Sequence, residues 1–212
     1  MAQFVNLNPG SLRELHIGNE RLVSYNVEMT EVTGGTFWKA YTPAQIAGTE
    51  PFVLKGGFLG NATASTDLMQ YYDPIDLSDK KLRKLAKEIG PAWVRVSGTW
   101  STKTYYDFDG HTNGVVPEGY NAILTREQWL SVLDFCKDIG AKLLISVADC
   151  EGLHHADEPW NPSQAEQIFA LSKEYGKAID AAEFVNEPNL LAMSGCPNDY
   201  QTIGIANVLT GK

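Results

Sequence analysis

No Cys-x-x-Cys pair occurs in this chain of 212 residues. Its three cysteines, Cys136, Cys150 and Cys196, are odd in number and lack metal-ligand or redox spacing, so a disulfide framework is disfavoured and free thiols are expected. No apolar run approaches the roughly 18 residues of a spanning helix, and the opening Met1-Ala2-Gln3-Phe4-Val5-Asn6 lacks the basic and apolar regions of a signal peptide. An exported form, secreted or periplasmic, would need a leader already removed. Positive charge is also scarce. Seventeen Lys and Arg against 26 Asp and Glu leave a net charge of −9, which opposes nonspecific attraction to nucleic acid or to anionic membrane, and neither partner is expected. No Gly-x-Gly-x-x-Gly follows any strand-like run, which removes the usual dinucleotide reading, and no cofactor is implied.

What the chain does have is a core. At 43% hydrophobic and 10% aromatic residues it can fold as one globular unit. Three helices carry their own punctuation. Residues 78–89 place Leu82, Leu85, Ala86 and Ile89 at helical spacing before Gly90-Pro91, and residues 125–139 align Trp129, Val132, Leu133, Cys136 and Ile139. There Thr125 and Gln128 make a capping-box pair and Gly140 supplies the stop. The third helix starts at Asn161 or Ser163 and ends at Tyr175 before Gly176, with Pro162 in its first turn and Ile168 and Phe169 facing inward. Short apolar runs over 92–96, 142–147 and 182–185 follow these helices, and an earlier one over 22–27 precedes them; they read as buried parallel strands. The order is βαβαβαβ, preceded by a short N-terminal β segment over 1–20.

The connections are unequal. Helix-to-strand links are two or a few residues, whereas strand-to-helix links run from 98 to 124 and from 148 to about 160, so the long loops gather at the C-terminal end of the strands. In a (β/α)8 TIM barrel that is the functional end, and long loops without secondary structure are usually functional. A doubly wound sheet gives the same alternation. Only four βα units fit this length, so the expected architecture is α/β, the first half of such a barrel, with unpaired edges that invite self-association or a C-terminal half-barrel partner. Cys136 falls on an apolar helix face, as a small core residue.

The run Phe184-Val185-Asn186-Glu187-Pro188-Asn189 ends the last strand with a carboxylate beside an amide, ahead of a proline that stops the strand. A rigid strand tip with room for a ligand suits the proton donor of glycosidic-bond cleavage; an ordinary polar turn is the plainer account of the same residues.

Three segments together are more specific: Val94-Arg95-Val96-Ser97-Gly98-Thr99, Trp160-Asn161-Pro162-Ser163-Gln164-Ala165 and Asn186-Glu187-Pro188-Asn189. In these residues, and in element order from 22 to 189, the chain resembles glycoside hydrolase family 79, the heparanase-like β-glucuronidases. The resemblance implies a retaining glycosidase that cleaves β-glucuronide bonds in glycans or glycosaminoglycan-like substrates, with residues 21–212 forming the first half of its barrel. It makes Glu187 the acid/base and Asn186 the holder of the sugar 2-hydroxyl. Arg95 would support the nucleophile's charge, and Thr99 and Glu28 would contact the sugar. Ser97 stands where heparanase has Gly, and Glu28 where it has Asp. The nucleophile itself would lie on later strands, so the chain alone should be inactive. A retaining pair needs two carboxyl groups about 5 Å apart, and the acid must keep its proton through partial burial and an anionic neighbour.

Each residue has a plainer reading. Arg95 can be a salt-bridged strand residue, and Glu28 an exposed strand-end carboxylate. Asp149, Cys150 and Glu151 with His154, His155, Asp157 and Glu158 match no zinc spacing and read as a polar cleft wall, so no metal is expected. Trp100, Tyr105, Tyr106, Phe108 and Tyr120 can stack on sugars or simply pack over the strand ends, and Lys103 can meet an anionic sugar or remain solvated. A noncatalytic carbohydrate-binding or scaffold half barrel is the alternative function.

Overall fold

The computed structural model describes residues 8–15, 18–51, 69–153 and 159–187. In chain order its elements are β1 (Ser24–Glu28), α1 (Met29–Thr33), β2 (Gly35–Trp38), α2 (Pro43–Ile46), β3 (Met69–Tyr72), α3 (Lys80–Ile89), β4 (Trp93–Ser97), β5 (Thr104–Asp107), β6 (Ala122–Thr125), α4 (Arg126–Asp138), β7 (Lys142–Ser146), α5 (Ser163–Glu174) and β8 (Ala181–Glu183). Four of the strands form one parallel sheet in the order β1-β4-β7-β8. The protein is therefore a mixed α/β fold around a four-stranded parallel sheet. A doubly wound sheet reverses its strand order, and these four strands follow chain order without a reversal.

Helix boundaries fall where their chemistry puts them. Thr125 caps α4 by accepting from the Gln128 backbone N–H while the Gln128 side chain accepts from the Thr125 N–H, so two otherwise unpaired amides are satisfied reciprocally. Asp79 caps α3 through the Leu82 N–H at 2.7 Å. Gly140, at φ 67°, takes the left-handed turn that ends α4, where a side chain would be strained.

Alternation along the strands sorts residues to two faces. Val94, Val96, Leu143 and Ile145 are at most 1% exposed and join Trp129, Val132, Leu133 and Cys136 of α4 and Ile168 of α5 in a single core. The Trp129 indole donates to Ser172 Oγ at 2.9 Å, locking α4 to α5. The other face carries the polar residues Asn26, Glu28, Arg95, Ser97, Ser146 and Glu183, with Leu144 half-buried among them. Val94 and Leu144 thus lie on opposite faces, because they sit at opposite parity in paired strands.

Several expectations are corrected. The stretch 98–124 is not a structureless loop, since β5 and β6 pair there in parallel, and β2 and β3 form an antiparallel pair after β1. Both pairs are only four residues long per strand, too short for their apolar residues, such as Tyr106 and Leu124, to stand out as strand-length runs. On α3 only Ala86 is buried; Leu82, Leu85 and Ile89 are 38%, 55% and 51% exposed. Phe169 is 40% exposed, one position past the buried Ile168. Residues 22 and 23 precede β1 rather than belong to it, and β8 covers 181–183 rather than 182–185. Of the expected N-terminal β segment, residues 8–15 and 18–20 hold a 3-10 turn at Pro9–Ser11 and no strand; residues 1–7 and 16–17 lie outside the described residues.

Candidate active site

Strand register builds the site before any side-chain contact is considered. Glu28 pairs with Ser97, Val96 with Ile145, and Ser146 with Glu183, so Glu28, Ser97, Ser146 and Glu183 form one row across the C-terminal end of the sheet. Asn26 and Arg95 pair one layer below. Each position points to the same face because the strands are parallel and in phase.

Glu183 gathers this row. It accepts hydrogen bonds from Ser97 Oγ at 2.7 Å and Ser146 Oγ at 2.5 Å, and it forms an ion pair with Arg95. Burial alone would raise its carboxyl, but the two hydroxyls and the guanidinium outweigh it and hold the group below its ordinary value of 4.5. The carboxylate that meets Arg95 is therefore one within this chain. Arg95 also donates to Asn26 Oδ1 at 2.6 Å and to Asn186 Oδ1 at 2.8 Å.

Those last two bonds orient the rest of the site. A guanidinium only donates, so each asparagine must turn its carbonyl oxygen to Arg95 and its NH2 group away. Asn186 Nδ2 then reaches Glu187 Oε2 at 3.3 Å, and Asn26 Nδ2 reaches Glu28 Oε1 at 3.4 Å. One cation thus aims two amides at two carboxylates. Thr99, two residues past β4, donates its hydroxyl to the same Glu187 oxygen at 3.3 Å. Both contacts fall on Oε2, and among the described residues Oε1 has no protein partner.

Glu187 holds φ at 49°, in the left-handed region, although the next residue in sequence is Pro188. A non-glycine residue there, at a position before proline where extended backbone is preferred, stores strain on the order of 1–3 kcal/mol. Such strain is concentrated at ligand-handling positions. Glu187 is exposed, not partly buried as a proton donor was expected to be, because it lies past the last hydrogen-bonded strand residue at the rim of the sheet.

Glu28 has the opposite environment from Glu183. It is half-buried, its Oε2 has no hydrogen-bond partner, and its carboxyl is raised by burial first, against the lowering bond from Asn26, and then by the negative charges of Glu31 and Glu187. The influence of Glu187 places the two carboxylates in one electrostatic neighbourhood. Gly98, at φ 99°, makes the space: a Cβ there would lie 1.6 Å from Glu28 Oε2. Glu28 is thus half-buried at the strand end rather than fully exposed.

The aromatic loop divides by role. Tyr106 is fully buried and stacked on Phe108, which is packing. Trp100, edge-on to Phe37 at 5.2 Å, and Tyr120, edge-on to Tyr105 at 5.0 Å, instead line a cavity of about 490 Å³ beside the site. A second cavity of about 470 Å³ lies on the helix side between α3 and α4, where Arg83 and Lys87 are already paired with Asp134 and Asp138. Trp160 Nε1 donates to the Ala148 carbonyl at 3.1 Å and its ring meets Phe184 edge-on, fastening the end of β7 to the chain past β8.

Asp149 and Cys150 are buried, and His154, His155, Asp157 and Glu158 lie outside the described residues, as do Cys196, Pro188 and Asn189. Cys136 is buried, its thiol pushed up to about 12 chiefly by burial, as a core residue should be. Among the described residues Asp107, Asp109 and His111 can bring three ligand atoms within 4.8 Å of one another. His111 Nδ1 bonds Asp109 at 2.5 Å, a contact that raises the imidazole, and lies 3.3 Å from Asp107 Oδ1, a buried oxygen without a hydrogen-bond partner.

All five residues singled out in the sequence, Glu28, Arg95, Thr99, Asn186 and Glu187, meet at this one end of the sheet. Glu183, Ser146 and Asn26 were missed. The signal for Glu183 was present: a lone acid in one short apolar strand and a lone arginine in another each need a partner. Compared with known proteins, the chain matches no family model and no curated sequence.

Proposed function

We propose that this chain supplies the acid/base half of a retaining glycoside hydrolase that cleaves β-glucuronide bonds in glycans, with its four strands as the first half of a (β/α)8 barrel. The observation that carries the reading is the Arg95-oriented pair: Asn186 presents its NH2 group beside Glu187, whose second oxygen is left for a ligand at the C-terminal end of a parallel sheet. In this reading Glu187 protonates the leaving oxygen and later deprotonates the attacking water, while Asn186 and Thr99 fix the sugar hydroxyls around it. Glu28, held in the same row, contacts the sugar on the other side. The nucleophile comes from further strands added beyond β8.

Two features favour further elements at the sheet's margins. Strands β1 and β8 are edges among the described residues, and α3, which packs on β1 through the Tyr25 hydroxyl bond to the Ala86 carbonyl, leaves Leu82, Leu85 and Ile89 exposed. An apolar stripe beside an open edge is what neighbouring βα units, or a second copy, would cover.

The test is Glu187→Gln in the protein complemented with a polypeptide that supplies the remaining strands. Substrates with poor leaving groups should lose about 10²- to 10⁴-fold in single-turnover rate, and an activated aryl glucuronide far less, because it needs little protonation. Equal loss on both substrates removes Glu187 from the acid role. Sugar binding with no turnover by any complemented form supports the noncatalytic half barrel instead.

A further inference from the structure

The cavity beside the site lies between the β2–β3 pair and the segment that leads from β4 to β6. Among its described lining residues are Thr30, Thr33, Tyr71, Trp100, Tyr120 and Asn121, and none is Asp, Glu, Lys, Arg or His. That is unusual here, since the adjoining sheet end carries Glu28, Arg95, Glu183 and Glu187. The two environments are joined by very short stretches of chain: Thr30 lies two residues after Glu28, and Trp100 follows Thr99, the residue that contacts Glu187.

We propose that this cavity is a second glycan subsite that takes an uncharged pyranose unit attached to the sugar at Glu187. This rests on the glycosidase reading and narrows its substrate to chains whose neighbouring residue is neutral rather than sulfated or uronic. Its volume of about 490 Å³ falls within the usual roughly 300–1,000 Å³ of small-ligand sites. A pyranose has apolar C–H faces and a hydroxyl rim, and the lining offers both complements: aromatic rings for the faces, threonine hydroxyls and an amide for the rim.

The rings are held before any ligand arrives. Trp100 is braced by Phe37, and Tyr120 by Tyr105 and by the bare backbone of Gly152, where a Cβ would come within 2.2 Å of the Tyr120 ring. Burial first, then Cys150 and Tyr105, pushes the Tyr120 phenol up, so it stays a neutral donor. Thr30 is 4% exposed, and a Cβ on Gly35, at φ 148°, would sit 2.7 Å from its hydroxyl, so glycine there preserves a polar floor. A sulfate or carboxylate entering this lining would lose its water without meeting a cation. The chain's net charge of −9 acts in the same direction at longer range.

The experiment measures binding directly on the full chain, by tryptophan fluorescence and ligand-observed NMR. The probes are neutral gluco-, galacto- and xylo-oligosaccharides, a heparin-derived sulfated tetrasaccharide, and free glucuronic acid. At least one neutral oligosaccharide should perturb tryptophan emission and bind. Tyr71→Ala, at a position 67% exposed and so harmless to folding, should weaken that binding by at least about fivefold, and Trp100→Phe should alter both affinity and the emission change. Absence of binding by every neutral probe, indifference to Tyr71→Ala, or tighter binding of the sulfated probe overturns the subsite. Because this readout involves no turnover, a failed acid role for Glu187 and a failed subsite are separate results.

Discussion

Replacing Glu183 with Gln isolates the group that organises the whole site. The change keeps shape but removes the charge that Arg95, Ser97 and Ser146 all face. Exposed ion pairs contribute about 0.2–1 kcal/mol, and breaking a fully buried pair costs about 3–5 kcal/mol. Here the two side chains are 29% and 34% exposed, which puts the pair between those limits, at about 2 kcal/mol after allowance for solvent screening. With a urea slope of about 2 kcal/mol/M, the unfolding midpoint should fall by about 1 M near neutral pH. The pH dependence gives the sharper check. Because the folded-state carboxyl is held below its ordinary value of 4.5, its contribution is complete above that value and is lost as pH falls through the lower folded one. Wild type and Glu183→Gln should therefore converge progressively as pH falls below 4.5. The assay is urea unfolding followed by tryptophan fluorescence across a pH series from neutral into acid. A neutral-pH shift under about 0.2 M, or a shift unchanged in acid, refutes the assignment of Glu183 as the anionic anchor.

The opposite sign is expected at Glu28. Its carboxyl is raised above 4.5 by burial and by Glu31 and Glu187, so its ionised form opposes folding; Glu28→Gln should stabilise the chain near neutral pH and lose that advantage below the ordinary value, as thermal unfolding at several pH values would report. Gly98→Ala should destabilise by about 1–3 kcal/mol, since it combines a left-handed backbone with a Cβ 1.6 Å from Glu28 Oε2. Glu28→Ala in the same chain should recover the steric part, so a double-mutant cycle in chemical denaturation that shows no coupling would contradict the packing.

Sequence alone determined the helices over α4 and α5 and the four parallel strands, because each has periodicity and local stop signals that act within a turn or two of chain. Thr125 and Gln128 close on each other, and Gly140 ends the helix, with no help from distant residues. The residues of the site were also legible, since an isolated Arg95 in an apolar strand and an Asn-Glu-Pro at a strand tip are chemically conspicuous. Their partners were not. That Arg95 meets Glu183, 88 positions away, follows from register across three strands, which no local pattern encodes. The same holds for the exposure of Leu82, Leu85 and Ile89: spacing made α3 amphipathic, but only the arrangement of neighbours decides whether an apolar face is covered. Tertiary structure likewise split the aromatic loop, burying Tyr106 in the core and turning Trp100 and Tyr120 toward a cavity, since the side of a short strand that meets the core depends on what packs against it.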